Sequence, residues 1–248
     1  CRATLWLSSG DMQRGFREYQ WRWKTAEAPE DVDPETFWRG EAIPDGTILL
    51  RSEQGMGDIF QFIRYAPQLK ERCKTLLFEC RESLIPLIRQ VSCIDQLIPT
   101  GEELPAVDAQ VPLMDLPLIF ETDLDSIPPP IPYLRANEDL ARKWSIEAQK
   151  LAGVKVGINW EGDPTSPTHA YRTLPLNEFG GLAKVDGVSV VSLQYRDDEG
   201  AISQQLEDLG ITDWGLALNR DTQAFEGSAA ALEALDLVIT NDTAIAHL

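Results

Sequence analysis

The chain has 248 residues, a quarter of them charged, and a formal net charge of −18. That length points to about two domains, and 43% hydrophobic residues suffice for a sizeable core in each. A surface this acidic repels nucleic acid and anionic membrane faces, no apolar run reaches the roughly 18 residues of a membrane span, and any anionic ligand must be held by local donors.

Along residues 3–25 the apolar positions Leu5, Leu7, Phe16, Tyr19 and Trp23 read as a helix pair with Gly10 at its turn. The string GDMQRGFREYQWRW, with small residues at Gly10 and Gly15 and aromatics at Phe16 and Tyr19, resembles the closing helices of a tetratricopeptide repeat. Residues 1–25 are therefore read as the end of a helical repeat, and 26–45 as an acidic, proline-bearing linker. A strand–helix rhythm follows. Strands are predicted at Thr47–Arg51, Thr75–Cys80, Ile94–Ile98 and Ala109–Pro112, with helices at Asp58–Leu69 and Glu82–Val91 and a helical stretch to Phe120. Residues 121–134 carry four prolines and form a joint. Alternation then restarts with a helix at Asn137–Leu151, strands at Lys155–Trp160 and Val188–Gln194, helices at Gly200–Leu209 and Ala224–Leu235, and a strand at Asp236–Thr240.

This pattern predicts an α/β fold of two Rossmann-like parallel-sheet domains, one over 46–134 and one over 135–248. The chain opens at Cys1 and stops at Leu248 within a helical segment, so it reads as a fragment with its C-terminal domain truncated. Cys1, Cys73, Cys80 and Cys93 form no CxxC pair and read as reduced thiols of a cytoplasmic protein. Their spacing to one another and to His169 and His247 fits no zinc pattern, and no metal or other cofactor is expected.

Three segments could carry chemistry. In SEQGMGDIFQFIRY, residues 52–65, a strand runs into Gly55-x-Gly57 and a helix, where backbone can approach a ligand closely. Asp58 at the helix start reads either as a cap or as a carboxylate placed to take a proton. A dinucleotide fingerprint would need a glycine where Phe60 stands, although Glu79 occupies the place of a ribose-binding acid. The loop after Trp160 carries Gly162, His169 and Arg172, and Arg172 could clamp a phosphate. Ser192-Leu193-Gln194 ends a strand at the same edge. Finally, DLVITNDTAIAHL, residues 236–248, reads as a strand, a polar turn and a helix opening at Thr243, an arrangement suited to an anion. The two DxD strings, Asp31 to Asp33 and Asp123 to Asp125, lie in proline-rich linkers and read as solvated acidic loop.

In order, EQGMGDIFQFIRYAP, PLMDLPLIF, IPPPIPYL, VGINWEGDP followed by YRTLPL, VSLQ and LDLVITNDTAIAHL resemble the glycosyltransferase domain attached to bacterial tetratricopeptide repeats. That domain is similar to the lipopolysaccharide heptosyltransferases. The resemblance implies a GT-B fold, a nucleotide-diphospho-sugar donor, a protein or glycan acceptor, and a metal-independent, inverting transfer. It implies Asp58 as the base beside Gly55 and Gly57, and donor binding by Arg172, Gln194, Asp242, Thr243, Ala244 and His247. Ala244 stands where heptosyltransferases carry glycine. A non-catalytic repeat-linked binding module and an NAD-dependent oxidoreductase are the alternative readings.

Overall fold

The computed structural model describes residues 2–25, 34–128, 131–166, 168–196, 200–218 and 224–248. Asp31 and Asp33, and two of the prolines in the joint, lie outside these residues. The chain divides into two compact units: Cys1–Ile85 with Val91–Tyr133, and Pro86–Gln90 with Leu134–Leu248.

The first unit opens with α1 (Arg2–Ser8) and α2 (Met12–Tyr19), which pack on each other, then a 3-10 turn at Gln20–Lys24. Gly10, in the left-handed region at φ 84°, makes the turn between them. Gly15 is small for a reason: a Cβ there would sit 2.6 Å from the Leu7 side chain. Asp11 starts α2 by accepting from the Arg14 amide. Phe16 is buried and meets Phe62 edge-on, which ties this hairpin to the α/β layer.

That layer is a four-stranded parallel sheet of β1 (Ile43–Arg51), β2 (Cys73–Cys80), β3 (Gln96–Pro99) and β4 (Ala109–Pro112), in the order β3-β2-β1-β4. The central strands read as continuous apolar runs because both faces are covered. Ile48, Leu50, Leu76 and Phe78 have no exposed surface. The helical segment after β1 is not one helix over 58–69. It divides into α3 (Met56–Phe62), a 3-10 turn at Ile63–Tyr65 and α4 (Ala66–Lys70). Pro67 explains the break, since a proline fits the first turn of a new helix and not the interior of an old one. The predicted helix at 82–91 is likewise a 3-10 turn at Glu82–Leu84 running into α5 (Ile85–Ile88), with Pro86 in its first turn, and its Pro86–Gln90 part belongs to the second unit. A 3-10 turn at Leu113–Asp115 and α6 (Leu116–Ile119) follow β4. The outer edge of β4 is occupied at Gln110, whose carbonyl accepts from the Trp38 amide at 2.8 Å.

The second unit repeats the plan. After α7 (Glu138–Gln149) come β5 (Val154–Asn159), the short α8 (His169–Arg172), a 3-10 stretch at Leu176–Lys184, β6 (Val188–Ser192), α9 (Ala201–Asp208), β7 (Thr212–Asp213), α10 (Gly215–Leu218), α11 (Glu226–Glu233) and β8 (Leu237–Thr240). All pairings are again parallel, in the order β7-β6-β5-β8. One sheet face buries Val156, Ile158, Trp160 and Val190 against Leu176, Phe179 and Leu206. On the other, Gly157 leaves room for Leu235, whose Cδ1 would lie 2.5 Å from a Cβ at that position. The 3-10 stretch, β7 and α10 had no periodic signal strong enough to be predicted.

Two glycines separate strain from clash. Gly153 (φ 66°) and Gly101 (φ 95°) both have positive φ, but a Cβ at Gly153 would lie 1.9 Å from the Gly187 carbonyl oxygen, whereas at Gly101 it meets nothing within 4 Å. Gly101→Ala should cost about 1–2 kcal/mol of backbone strain. Gly153→Ala adds a collision with backbone and should lower the denaturation midpoint distinctly further. Equal midpoints in urea unfolding would refute this.

Candidate functional site

Each sheet has the same reversal. The chain steps from β1 to β2 to β3 in one direction, then returns to place β4 on the far side of β1; β5 to β8 do likewise. Loops leaving the carboxyl ends of the two strands at such a reversal diverge and open a crevice, the usual ligand position in open α/β sheets. In the first unit those strands are β1 and β4. In the second they are β5 and β8.

In the second unit's crevice two asparagines that were not singled out, Asn159 and Asn241, join the loop of Arg172 to the turn of Asp242 and Thr243. Asn159, the last residue of β5, donates through Nδ2 to Asn241 Oδ1 at 3.1 Å, to the Glu161 carbonyl at 3.1 Å and to Thr243 Oγ1 at 3.3 Å. Asn241 in turn donates to the Arg172 carbonyl at 2.7 Å. The loop from Trp160 to Leu174 is closed at its base by the Leu174 amide on the Trp160 carbonyl. The backbone of Arg172 is thus pinned beside the turn after β8, and its guanidinium lies 3.4 Å from the Asp242 carboxylate. Arg172 is half exposed and Asp242 largely so, which makes the pair weak and available to a competing anion. Gly162 packs on Thr243, with 3.0 Å between its would-be Cβ and Thr243 Cγ2.

Thr243 does not begin a helix. It is extended (φ −137°, ψ 178°), and a single 3-10 turn spans Ala244–Ala246. The Thr243 amide is committed to the Asn241 carbonyl at 2.8 Å, so the donors that open the turn are the first-turn amides of Ala244 and Ile245, which have no intrahelical acceptor. His247 follows the turn, its amide on the Ala244 carbonyl. His169 turns its ring to the Thr173 hydroxyl, at 3.3 and 3.4 Å. Gln194 sits deeper. It is buried, and its Oε1 accepts from the Trp160 and Glu161 amides at 3.3 and 3.1 Å, which fixes the start of the 160–174 loop.

In the first unit the loops after β1 and β4 are bridged by residues the sequence reading missed. Arg22, from the 3-10 turn after α2, donates through Nε and Nη2 to the two carboxylate oxygens of Glu53, each at 2.8 Å, and through Nη2 to Asp115. Glu53 also accepts from the Met114 amide at 3.1 Å, and Gln20 donates to Asp115 at 2.8 Å. All three charged side chains are mostly buried. Burial opposes the charge on Arg22, yet Glu53 and Asp115 hold its pKa above the ordinary value. Burial first, and then the Asp115 charge, push the Glu53 carboxyl up despite Arg22, since two carboxylates share one cation. No periodicity in the sequence marks these residues, because they come from three separate segments.

Asp58 lies beside this cluster in sequence. Its Oδ2 accepts from the Gly55 amide at 2.9 Å, so it caps α3 in the way the plainer reading expected. Gly55 and Gly57 precede it, Gly55 exposed. Glu79 is buried and ion-paired with Arg51 at 2.8 Å, and Phe60 is fully buried. A buried acid already held by Arg51 is poorly placed for a ribose, which counts against a dinucleotide site. The Asp123 carboxylate accepts from the Asp125 and Ser126 amides and the Ser126 hydroxyl, as a local turn. Among the described residues no group of three or more His, Cys, Asp or Glu could hold a metal ion. Burial raises the thiol pKa of Cys73, Cys80 and Cys93, that of Cys80 to about 12.

No protein-family model matches the chain. A curated relative, protein FlbA of Caulobacter vibrioides, is 25% identical over 271 aligned positions. The alignment takes in 100% of this chain and 45% of FlbA, so the chain spans less than half the length of that relative. Among solved structures, a glycosyl transferase family 9 protein from Veillonella parvula aligns with a TM-score of 0.61 at 14% identity, over 84% of this chain and 79% of its own. The ADP-heptose lipopolysaccharide heptosyltransferase II of Escherichia coli gives 0.55 at 14% identity, over 80% of each chain. The iron-containing dodecameric heptosyltransferase TibC, solved with ADP-D-β-D-heptose, gives 0.53 at 12% identity, over 83% of this chain and 56% of its own. The fold is therefore that of glycosyltransferases of this kind. Among the described residues no helix is long and apolar enough to cross a membrane.

Gln194 gives a direct test of how the second crevice is held. Gln194→Ala leaves two amides without their acceptor and should lower stability by about 1–3 kcal/mol in thermal or urea unfolding. An unchanged midpoint would mean that its bonds to Trp160 and Glu161 do not hold the loop.

Proposed function

We propose that the chain is the core of a glycosyltransferase that moves a sugar from a nucleotide-diphospho-sugar to a hydroxyl of a protein or glycan, by a metal-independent, inverting displacement in a GT-B arrangement. The observation that carries this reading is the contrast between the two crevices. In the first unit the guanidinium at the reversal point is committed to two carboxylates. In the second, Arg172 and the amides of Ala244 and Ile245 gather at it, positive donors in a chain of net charge −18. That contrast supports the second as the diphosphate site. The shared fold supports the reading, and one neighbour was solved with a nucleotide-diphospho-heptose.

In this reading the donor diphosphate lies over the turn at 243–246. Arg172 exchanges its weak contact with Asp242 for a phosphate oxygen. Thr243 Oγ1 and His247 stand beside the same turn, and Gln194 acts through the loop that it holds. As the acceptor oxygen attacks the anomeric carbon, Asp58 takes its proton. The bond from that carbon to the diphosphate oxygen breaks, and Arg172 with the turn amides stabilises the charge that develops there. One displacement inverts the anomeric centre. The upstream helical segment, read as tetratricopeptide-like, would belong to the acceptor side, in a cytoplasmic protein.

Arg172→Ala should weaken nucleoside diphosphate binding by about 1.5–2 kcal/mol, the lower part of the range for a charged hydrogen bond, because the guanidinium is half exposed. Binding of the uncharged nucleoside should stay the same. Equal losses for both ligands in calorimetry would show that Arg172 only supports the loop.

Asp58→Asn should reduce turnover by about a hundredfold or more, with donor affinity retained. Asparagine still caps α3, so stability should fall by less than about 1 kcal/mol. Full transfer activity in this variant would remove Asp58 as the base. Nucleotide binding with no transfer to any hydroxyl acceptor, even in the parent protein, would favour a binding module without turnover.

A further inference from the structure

The N-terminal helical segment reaches the loop that carries Gly55, Gly57 and Asp58 at two points. The first is the Arg22 fork on Glu53, the residue that opens the loop after Ser52. The second is Tyr19, whose hydroxyl accepts from Gln54 Nε2. Gln54 is held at φ 60°, in the left-handed region that a glutamine rarely adopts. Strain of that kind persists only where surroundings over-determine it, and here Tyr19 and Arg22 supply the restraint on either side of the peptide. Arg22 is itself confined. Its guanidinium stacks over the Tyr19 and Trp23 rings at 4.9 and 4.6 Å, and Trp23 meets the Phe37 ring at 5.1 Å. Glu53 relays the restraint to the far side of the crevice through the Met114 amide, and Asp115 does so through Arg22 and Gln20.

We infer that Arg22 and Tyr19 are positioning residues. The last turn of the helical segment locks loop 52–58 in the conformation that presents Asp58, so residues 2–25 belong to the catalytic unit rather than to a separable repeat. The part of this inference that concerns turnover rests on the proposed role of Asp58. The lock itself does not.

The test uses the whole protein and two mild variants, because removing the buried cation altogether could unfold the unit. Tyr19→Phe deletes only the hydroxyl that holds Gln54. Arg22→Lys keeps the charge and loses the fork. Amide hydrogen exchange is read at residues 53–58 and at Met114, with the β1 and β2 amides as internal control. Each variant should speed exchange at 54–58 by about tenfold, while the strands stay protected. Each should lower kcat several-fold with the donor KM unchanged, since the donor is assigned to the other unit. Unaltered exchange at 54–58 overturns the lock, as does acceleration spread evenly through β1 and β2, which would mark general loosening. A freed loop with full kcat, in a protein whose Asp58→Asn variant is inactive, overturns the positioning role. Where Asp58→Asn is itself fully active, the reading of the base has failed and the exchange data alone decide the lock.

Discussion

In both sheets the chain must come back across a strand that it has already laid down. After three strands added in one direction, the fourth joins the opposite side of the first, and the loops beyond the paired ends cannot follow each other. Those loops are residues 52–58 and 113–115 in one unit, held by Arg22 and Gln20 from the helical segment, and 160–174 and 241–247 in the other, held by Gln194 from the end of β6. Behind them, β1 and β5 bury most of their apolar residues, among them Ile48, Leu49, Leu50, Val156 and Ile158, while the edge strand β8 is only partly buried. The same topology has been put to two uses. One crevice is consolidated by an internal ion cluster, and the other is braced by neutral side chains that leave charge facing outward.

The two forms of bracing differ in energetic character. Asn159, Asn241 and Gln194 satisfy backbone and side-chain partners without burying charge, so each contributes modestly and at little desolvation cost. The cluster of Arg22, Glu53 and Asp115 buries three charges, and its mutual attraction must repay their lost hydration. With one cation for two carboxylates the repayment is incomplete at Glu53. Such a cluster is a poor source of stability, but losing one of its members leaves an ion buried without its partner.

The fold class and the two-sheet plan were legible in the sequence because the apolar runs at 47–51, 75–80 and 236–240 are flanked by polar turns. Strand positions were read to within a few residues. The helices were less legible. Pro67 and Pro86 divide what periodicity alone joins, and the 3-10 stretch at 176–184 has no 3.6-residue period to find. At the second crevice, Arg172, Asp242 and Thr243 were singled out far apart in sequence, and the fold brings them together. Asn159 and Asn241, which do the joining, carried no signal, since a strand-end asparagine looks like any turn residue. The ion cluster was invisible for a related reason. Arg22, Glu53 and Asp115 are ordinary surface types in sequence, and only their convergence from a helical hairpin and two loops makes them interior.

The margins of the first sheet have a consequence for the protein in concentrated solution. Its outer strands, β3 and β4, have four residues each, against nine and eight in the middle, and end in Pro99 and Pro112, which present no amide hydrogen. The outer side of β4 is already engaged at Gln110 by the backbone of Trp38. A strand from another molecule seeking to extend the sheet meets short, interrupted ladders, and it must approach against a net charge of −18. The layout that keeps the apolar runs of β1 and β2 in the centre thus also shields them from intermolecular β-pairing, the route by which such runs nucleate fibrils.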